Sequence, residues 1–259
     1  MPTALITGAS AGLGEAFARE LARRGHDLIL TARRAERLEE IAGELRATEG
    51  VAVHVFASDL ARPDAPERLL ADVAAAGLTV DTLINNAGCG ARGDFAELDG
   101  VMQLRMFDLN CRSLVALAHG VLPQMIERRS GAILNLSSTA AFQPGPWMAV
   151  YYATKAFVLS FSEALHEEAR AHGVRVTALC PGPTRTEFAK RAGMSDMSLF
   201  TMLAGDADKV VRDGLAALDA GRAVRVSGVA NALLADATHF TPRFLARKVA
   251  GSLQKARRG

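Results

Sequence analysis

Residues 2–7, PTALIT, form a short apolar run that stops at Gly8. The chain then reads Gly8-Ala-Ser10-Ala-Gly12-Leu13-Gly14, and a helical pattern continues through Leu21. A short apolar run bounded by glycine predicts a buried strand. The sequence therefore predicts strand, glycine-rich turn and helix, an order that few folds other than α/β accommodate. It also predicts an anion site: N–H groups of the first helical turn point outward and the helix dipole favours negative charge. Glycines let the backbone approach a ligand closely. The G-x-x-x-G-x-G spacing departs from the usual dinucleotide-binding G-x-G-x-x-G. A plain strand–helix connection is the alternative, and the flanking strand and helix favour phosphate binding over it.

The alternation continues. Residues 26–32 are the second strand, ending in Ala32, Arg33 and Arg34. Dinucleotide sites place an acid near this point for the ribose 2′-hydroxyl. Here arginine stands instead, and its charged planar fork suits a 2′-phosphate. We therefore expect NADP(H), with Arg33 ahead of Arg34; the alternative is the start of a solvated helix. Further strands are predicted over 51–57, 80–84, 131–136, 174–180 and 222–226. Helices are predicted over 66–76, 98–128 with a break near Asn110, from about Met148, and over 206–220. Asp59 and Leu60 end the third strand, where an Asp can accept from an adenine amino group or cap the next turn.

Tyr151 and Lys155 lie four residues apart, so on a helix they share a face. Tyrosine titrates near pH ~10, and a nearby positive charge lowers that value. Such a phenol can donate a proton to a carbonyl oxygen or take one from an alcohol. Tyr152 also shares a face with Lys155, and Y-x-x-x-K alone is common.

The 259 residues suit one large α/β domain or two small ones, the lack of internal repeats or a low-complexity linker favours one, and 49% hydrophobic content argues against disorder. A net charge of +2 gives no electrostatic case for nucleic acid. Cys89, Cys111 and Cys180 have no metal spacing, the histidines are scattered, and we expect no metal. No basic leader or spanning apolar run is seen. A reducing, cytoplasmic setting is expected.

Thr7-Gly8-x-x-x-Gly12-x-Gly14, Asp59, Asn85-Asn86-Ala87-Gly88, Asn110, Ser138, Tyr151-x-x-x-Lys155 and Pro181-Gly182 occur together in that order. This set resembles the short-chain dehydrogenase/reductase family in its NADP(H)-preferring form, strongly over about residues 3–190. The resemblance implies a single-domain, Rossmann-like, doubly wound α/β fold: a mostly parallel sheet with helices on both faces. It implies a hydride transfer between nicotinamide and a carbonyl or secondary alcohol. Tyr151 would be the general acid or base, and Ser138, thirteen residues earlier, would stabilise charge at the carbonyl oxygen. Lys155 would lower the tyrosine pKa and hold the nicotinamide ribose, and Asn110 would complete a proton relay.

Cofactor contacts are expected from Gly8, Ser10, Gly12, Leu13, Gly14, Arg33, Asp59, Leu60, Asn86, Ala87, Gly88, Tyr151, Lys155, Pro181, Gly182, Thr184 and Thr186. Thr186 fits the nicotinamide carboxamide better than Thr184. Residues 188–205 would cover the substrate, with Phe142, Trp147, Met148, Met194 and Phe200 lining an apolar pocket. A 3-oxoacyl thioester reductase, a hydroxysteroid dehydrogenase and an NADP(H)-binding sensor are the alternatives. A homodimer or homotetramer is implied, with contacts near residues 114–125. Residues 228–259 form a variable extension in which 241–256 predicts a basic helix. It could meet an anionic membrane or a partner, and packing on its own domain is the expectation.

Overall fold

The structure, a computed structural model, describes residues 1–184, 187–188 and 205–254. Strands β1 (Thr3–Thr7), β2 (Asp27–Ala32), β3 (Val53–Ala57), β4 (Thr82–Asn85), β5 (Gly131–Leu136), β6 (Val174–Cys180) and β7 (Val224–Val226) form one sheet. Its order is β3-β2-β1-β4-β5-β6-β7, and every pairing is parallel. Parallel neighbours need crossovers, and helices supply them. These are α1 (Gly12–Arg23), α2 (Ala35–Glu49), α3 (Ala65–Ala75), α4 (Gly100–Phe107), α5 (Ser113–Glu127), α6 (Ala149–Arg170) and α7 (Ala207–Asp219). Helices α8 (Val229–Phe240) and α9 (Arg243–Gln254) follow β7.

Successive strand residues point to opposite faces, so one strand feeds two cores. Ala4, Ile6, Leu28 and Leu30 face Phe17 and Leu21 of α1, Leu38 and Ile41 of α2 and Leu215 of α7. Leu5 and Ile29 face the other way, onto Leu69 of α3, Leu117 of α5 and Leu165 of α6. The doubly wound expectation holds. The order reverses between β1 and β4, and the carboxyl ends of strands at such a switch point are where open α/β sheets bind ligands.

Two local expectations change. The helix predicted over 98–128 is not interrupted: α4 runs into α5 through a π-helical turn, Asp108–Arg112, that contains Asn110. One extra residue in a turn re-aims side chains without ending the helix. The tail holds two helices where one was expected over 241–256, because Thr241 is extended before Pro242. A residue before proline is steered out of the helical region.

Candidate active site

The glycine turn is held from across the switch point. Thr7 Oγ1 accepts the backbone N–H of Asn86 (3.0 Å) and Ala87 (2.9 Å). Asn86 Nδ2 donates back to the carbonyls of Thr7 (2.8 Å) and Gly8 (3.4 Å). Gly8 has φ +67°, and a Cβ there would lie 2.9 Å from Asn86 Nδ2. A Cβ on Gly14 would overlap the Gly8 carbonyl. Ala11 caps α1 without any side-chain hydrogen bond, which leaves the N–H groups of its first turn free of a side-chain partner. Gly12 has φ +58°, and Leu13 packs partly against the core.

Ser10 is tied to Arg34: its carbonyl accepts from Nη2 at 2.8 Å and its Oγ from Nε at 3.3 Å. Arg34 also pairs with Glu187 at 3.5 Å. Arg33 is exposed at the end of β2. Asp59 accepts from Ala61 N (3.3 Å) and pairs with Arg105 (2.7 Å), so it caps its turn. The Leu60 side chain lies in the core.

The second cluster sits at the carboxyl ends of β4 and β5. Ser138 follows β5, and its hydroxyl lies close enough to Tyr151 to act on the phenol, lowering its pKa. Ser138 Oγ also donates to Pro181 O (3.4 Å) and accepts from Ala140 N (3.1 Å). Tyr151 and Lys155, one turn apart on α6, are both buried. Tyr152 meets Tyr151 edge-on at 6.0 Å, and a Cβ on Gly145 would overlap its ring, so Tyr151 is the tyrosine facing Ser138.

Lys155 Nζ donates to Leu136 O at 2.7 Å and stands 5.8 Å from the Tyr151 ring centre. Asn110 is clamped: Oδ1 accepts from Cys89 N and Nδ2 donates to Cys89 O, both at 2.9 Å. Its Nδ2 also donates to Thr154 Oγ1 at 3.0 Å, and that hydroxyl donates to Tyr151 O at 2.7 Å. A Cβ on Gly88 would lie 3.2 Å from Asn110 Oδ1 and 3.7 Å from Lys155 Nζ, so the three residues meet.

The electrostatics differ from expectation at one point. Lys155 was expected to lower the Tyr151 pKa. Burial instead pushes the phenol well above its usual range, only partly opposed by the nearby Ser138 hydroxyl. Burial also lowers Lys155 to about 8. Desolvation outweighs attraction because the ammonium is engaged with a carbonyl and has no hydrogen bond to the phenol among the described residues.

The loop after β6 closes the site. Pro181 O accepts from Thr139 N at 2.9 Å. Thr184 is buried, and its Oγ1 donates to Gly182 O at 3.0 Å. A Cβ on Gly182 would lie 2.5 Å from Asn231 Nδ2, so this α8 side chain fills the place of a side chain on the loop. Asn231 Nδ2 donates to Ser227 O at 2.7 Å, and Ser227 Oγ bonds Asp213 Oδ2 at 2.7 Å.

Met148 is buried with Tyr151, and Phe188 lies 5.6 Å from the Tyr151 ring. Trp147 is partly exposed with φ +70°, a costly backbone for a bulky residue. Phe142 is partly exposed nearby. Thr186, Met194 and Phe200 lie outside the described residues, as do all but Phe188 and Gly205 of the expected cover over 188–205. Thr154 and Asn231 were not singled out from the sequence, and Arg34 was weighed only as the second candidate for a 2′-phosphate, not as the residue that holds Ser10. Arg34 adjoins Arg33, and Thr154 lies inside the Tyr-Lys motif; Asn231 had no local signal. Among the described residues no cluster of His, Cys, Asp or Glu could hold a metal ion.

The family profile described as short chain dehydrogenase matches residues 2–196. A short-chain dehydrogenase from Sphingobium yanoikuyae, solved in complex with NADPH, superposes with a TM-score of 0.84 at 35% identity, covering 100% of this chain and 98% of that one. Sulfoacetaldehyde reductase 2 of Chromohalobacter salexigens is 42% identical over 71% of this chain and 73% of its own. The very-long-chain 3-oxoacyl-CoA reductase of Anas platyrhynchos is 37% identical over 72% of this chain. The match spans 61% of that relative's length. The chain belongs to the short-chain dehydrogenase family.

Proposed function

We propose that this short-chain dehydrogenase interconverts a carbonyl and a secondary alcohol with NADP(H) as hydride carrier. The observation that carries the reading is the meeting of Ser138, Tyr151, Lys155 and Asn110 beside the glycine turn. The cofactor fits the residues present. The α1 N-terminus has no side-chain cap, so a phosphate can approach its backbone N–H groups, and the turn is kept tight because Gly8 and Gly14 leave no room for a Cβ against Asn86 and the Gly8 carbonyl. Arg33, exposed where an acid would select NAD(H), would meet a 2′-phosphate. The nicotinamide ring supplies or accepts the hydride.

Tyr151 donates the proton to the carbonyl oxygen in reduction. A buried phenol held protonated is in the state that step requires. Ser138 gives a hydrogen bond to the developing oxyanion. Lys155, lowered to about 8, can be charged or neutral near neutrality and would hold ribose hydroxyls. Asn110 and Thr154 fix the α6 backbone against the Cys89 segment. Met148 and Phe188 beside Tyr151 support an apolar substrate.

The exposed Leu104, Phe107 and Phe157, with Phe107 and Phe157 rings 6.5 Å apart, support a homodimer or homotetramer through α4–α6. The three unpaired cysteines support a cytoplasmic setting. Purified protein should oxidise NADPH with one class among aldehydes, ketosteroids, diketones and 3-oxoacyl thioesters. Activity confined to NADH would overturn the Arg33 assignment. Tight NADPH binding without turnover on any class would favour a sensor.

A further inference from the structure

The outward faces of α8 and α9 run against the usual arrangement of a surface helix, whose large apolar residues face the core. Here the small residues face inward. Ala235, Ala246 and Ala250 are buried, and a Cβ on Gly251 would lie 3.3 Å from Pro146. The large apolar residues face out. On α8, Val229, Leu233 and Phe240 are 80%, 66% and 89% exposed, and their spacing of four and seven makes one stripe. On α9, Phe244, Leu245 and Val249 are 56%, 45% and 50% exposed.

Cations surround them. Arg243, Arg247 and Lys248 are exposed and enter no ion pair among the described residues. The charge of the whole chain is polarised accordingly. Residues 228–259 hold six of the 30 lysines and arginines but one of the 28 acids, Asp236, so this segment is +5 and the remainder −3.

We propose that α8 and α9 form a docking surface for an anionic lipid membrane. Phenylalanine, leucine and valine side chains enter the boundary between headgroups and acyl chains, while the flanking cations meet lipid phosphates. No described helix is long and apolar enough to cross a membrane, so the contact is interfacial. A two-fold contact with a second copy is disfavoured, because it would bring two +5 segments together. The surface does not depend on the catalytic reading. Even so, its inner side packs on the wall of that site, through Asn231 at Gly182 and Gly251 at Pro146.

The test is cosedimentation of the full chain with vesicles of phosphatidylcholine alone and of phosphatidylcholine mixed with phosphatidylglycerol, at low and high salt. Binding is expected on the anionic vesicles and should weaken with salt. Two variants, Phe240→Ser/Phe244→Ser and Arg243→Glu/Arg247→Glu/Lys248→Glu, should each lose at least about tenfold in partitioning. Their melting midpoints and NADPH binding should be unchanged. If a variant melts early, the salt dependence of the unaltered chain decides the matter. Absence of vesicle binding, or binding indifferent to lipid charge and to both variants, overturns the proposal. A dimer that dissociates in the Phe240→Ser/Phe244→Ser variant without any vesicle binding also overturns it, and assigns the surface to a second copy.

Discussion

A buried ammonium with one carbonyl partner has lost most of its hydration, and Lys155 is in that position. Its folded pKa of about 8 lies below the ordinary 10.5. Between those values the unfolded chain binds the proton and the folded chain does not, so this group makes stability rise with pH from about 8 to 10.5. Below about 8 the full cost persists. Lys155→Met should therefore stabilise the fold at pH 7 by no more than about 3 kcal/mol, and should flatten that alkaline rise in denaturant titrations. Tyr151 acts oppositely: its raised pKa means that stability falls as pH climbs above the ordinary phenol value of 10. Tyr151→Phe should lower turnover by about 10²–10⁴-fold; unaltered turnover would end the catalytic assignment. Arg33→Ala should weaken NADPH much more than NADH in a binding titration, whereas Arg34→Ala should weaken both, because Arg34 holds Ser10 of the turn.

At the scale of elements, two devices position the site. The π-helical turn keeps α4 and α5 continuous while turning Asn110 onto Cys89 and Thr154. Asn110 was legible as a break because it sits in an apolar helical pattern, but the kind of break depends on what its amide finds across the gap. The α8 helix places Asn231 against Gly182. Gly182→Ala should raise the NADPH dissociation constant several-fold by forcing the loop away from Asn231. Pairing it with Asn231→Ala should recover much of that loss, since the second change removes the obstacle; equal losses in the single and double variants would show that the two residues do not meet. Nothing local in the sequence marks Asn231, because its partner lies 49 positions away and the contact exists only after β6 and β7 pair.

At the scale of the whole molecule, the sheet brings its strand ends to one edge, and buried polar residues tie its centre. Asn85 Nδ2 donates to Asn135 Oδ1, and Asn135 Nδ2 to Ser162 Oγ, both at 3.0 Å. Replacing Asn135 with leucine should cost about 1–3 kcal/mol in a denaturant melt, by leaving partners unsatisfied. The sequence by itself determined the strand–helix alternation, the glycine turn and the shared helix face of Tyr151 and Lys155, whereas the doubly wound order and the choice of Ser138 and of Tyr151 over Tyr152 came from the family resemblance. The first three follow from local rules: apolar periodicity, backbone freedom at glycine and fixed spacing along a helix. Tertiary structure alone decided that Arg34 holds the turn, that burial sets the protonation of Tyr151 and Lys155, and that α8 and α9 turn their large apolar side chains outward. Each of these depends on what surrounds a side chain once distant segments meet, and desolvation and contact are properties of that assembled environment.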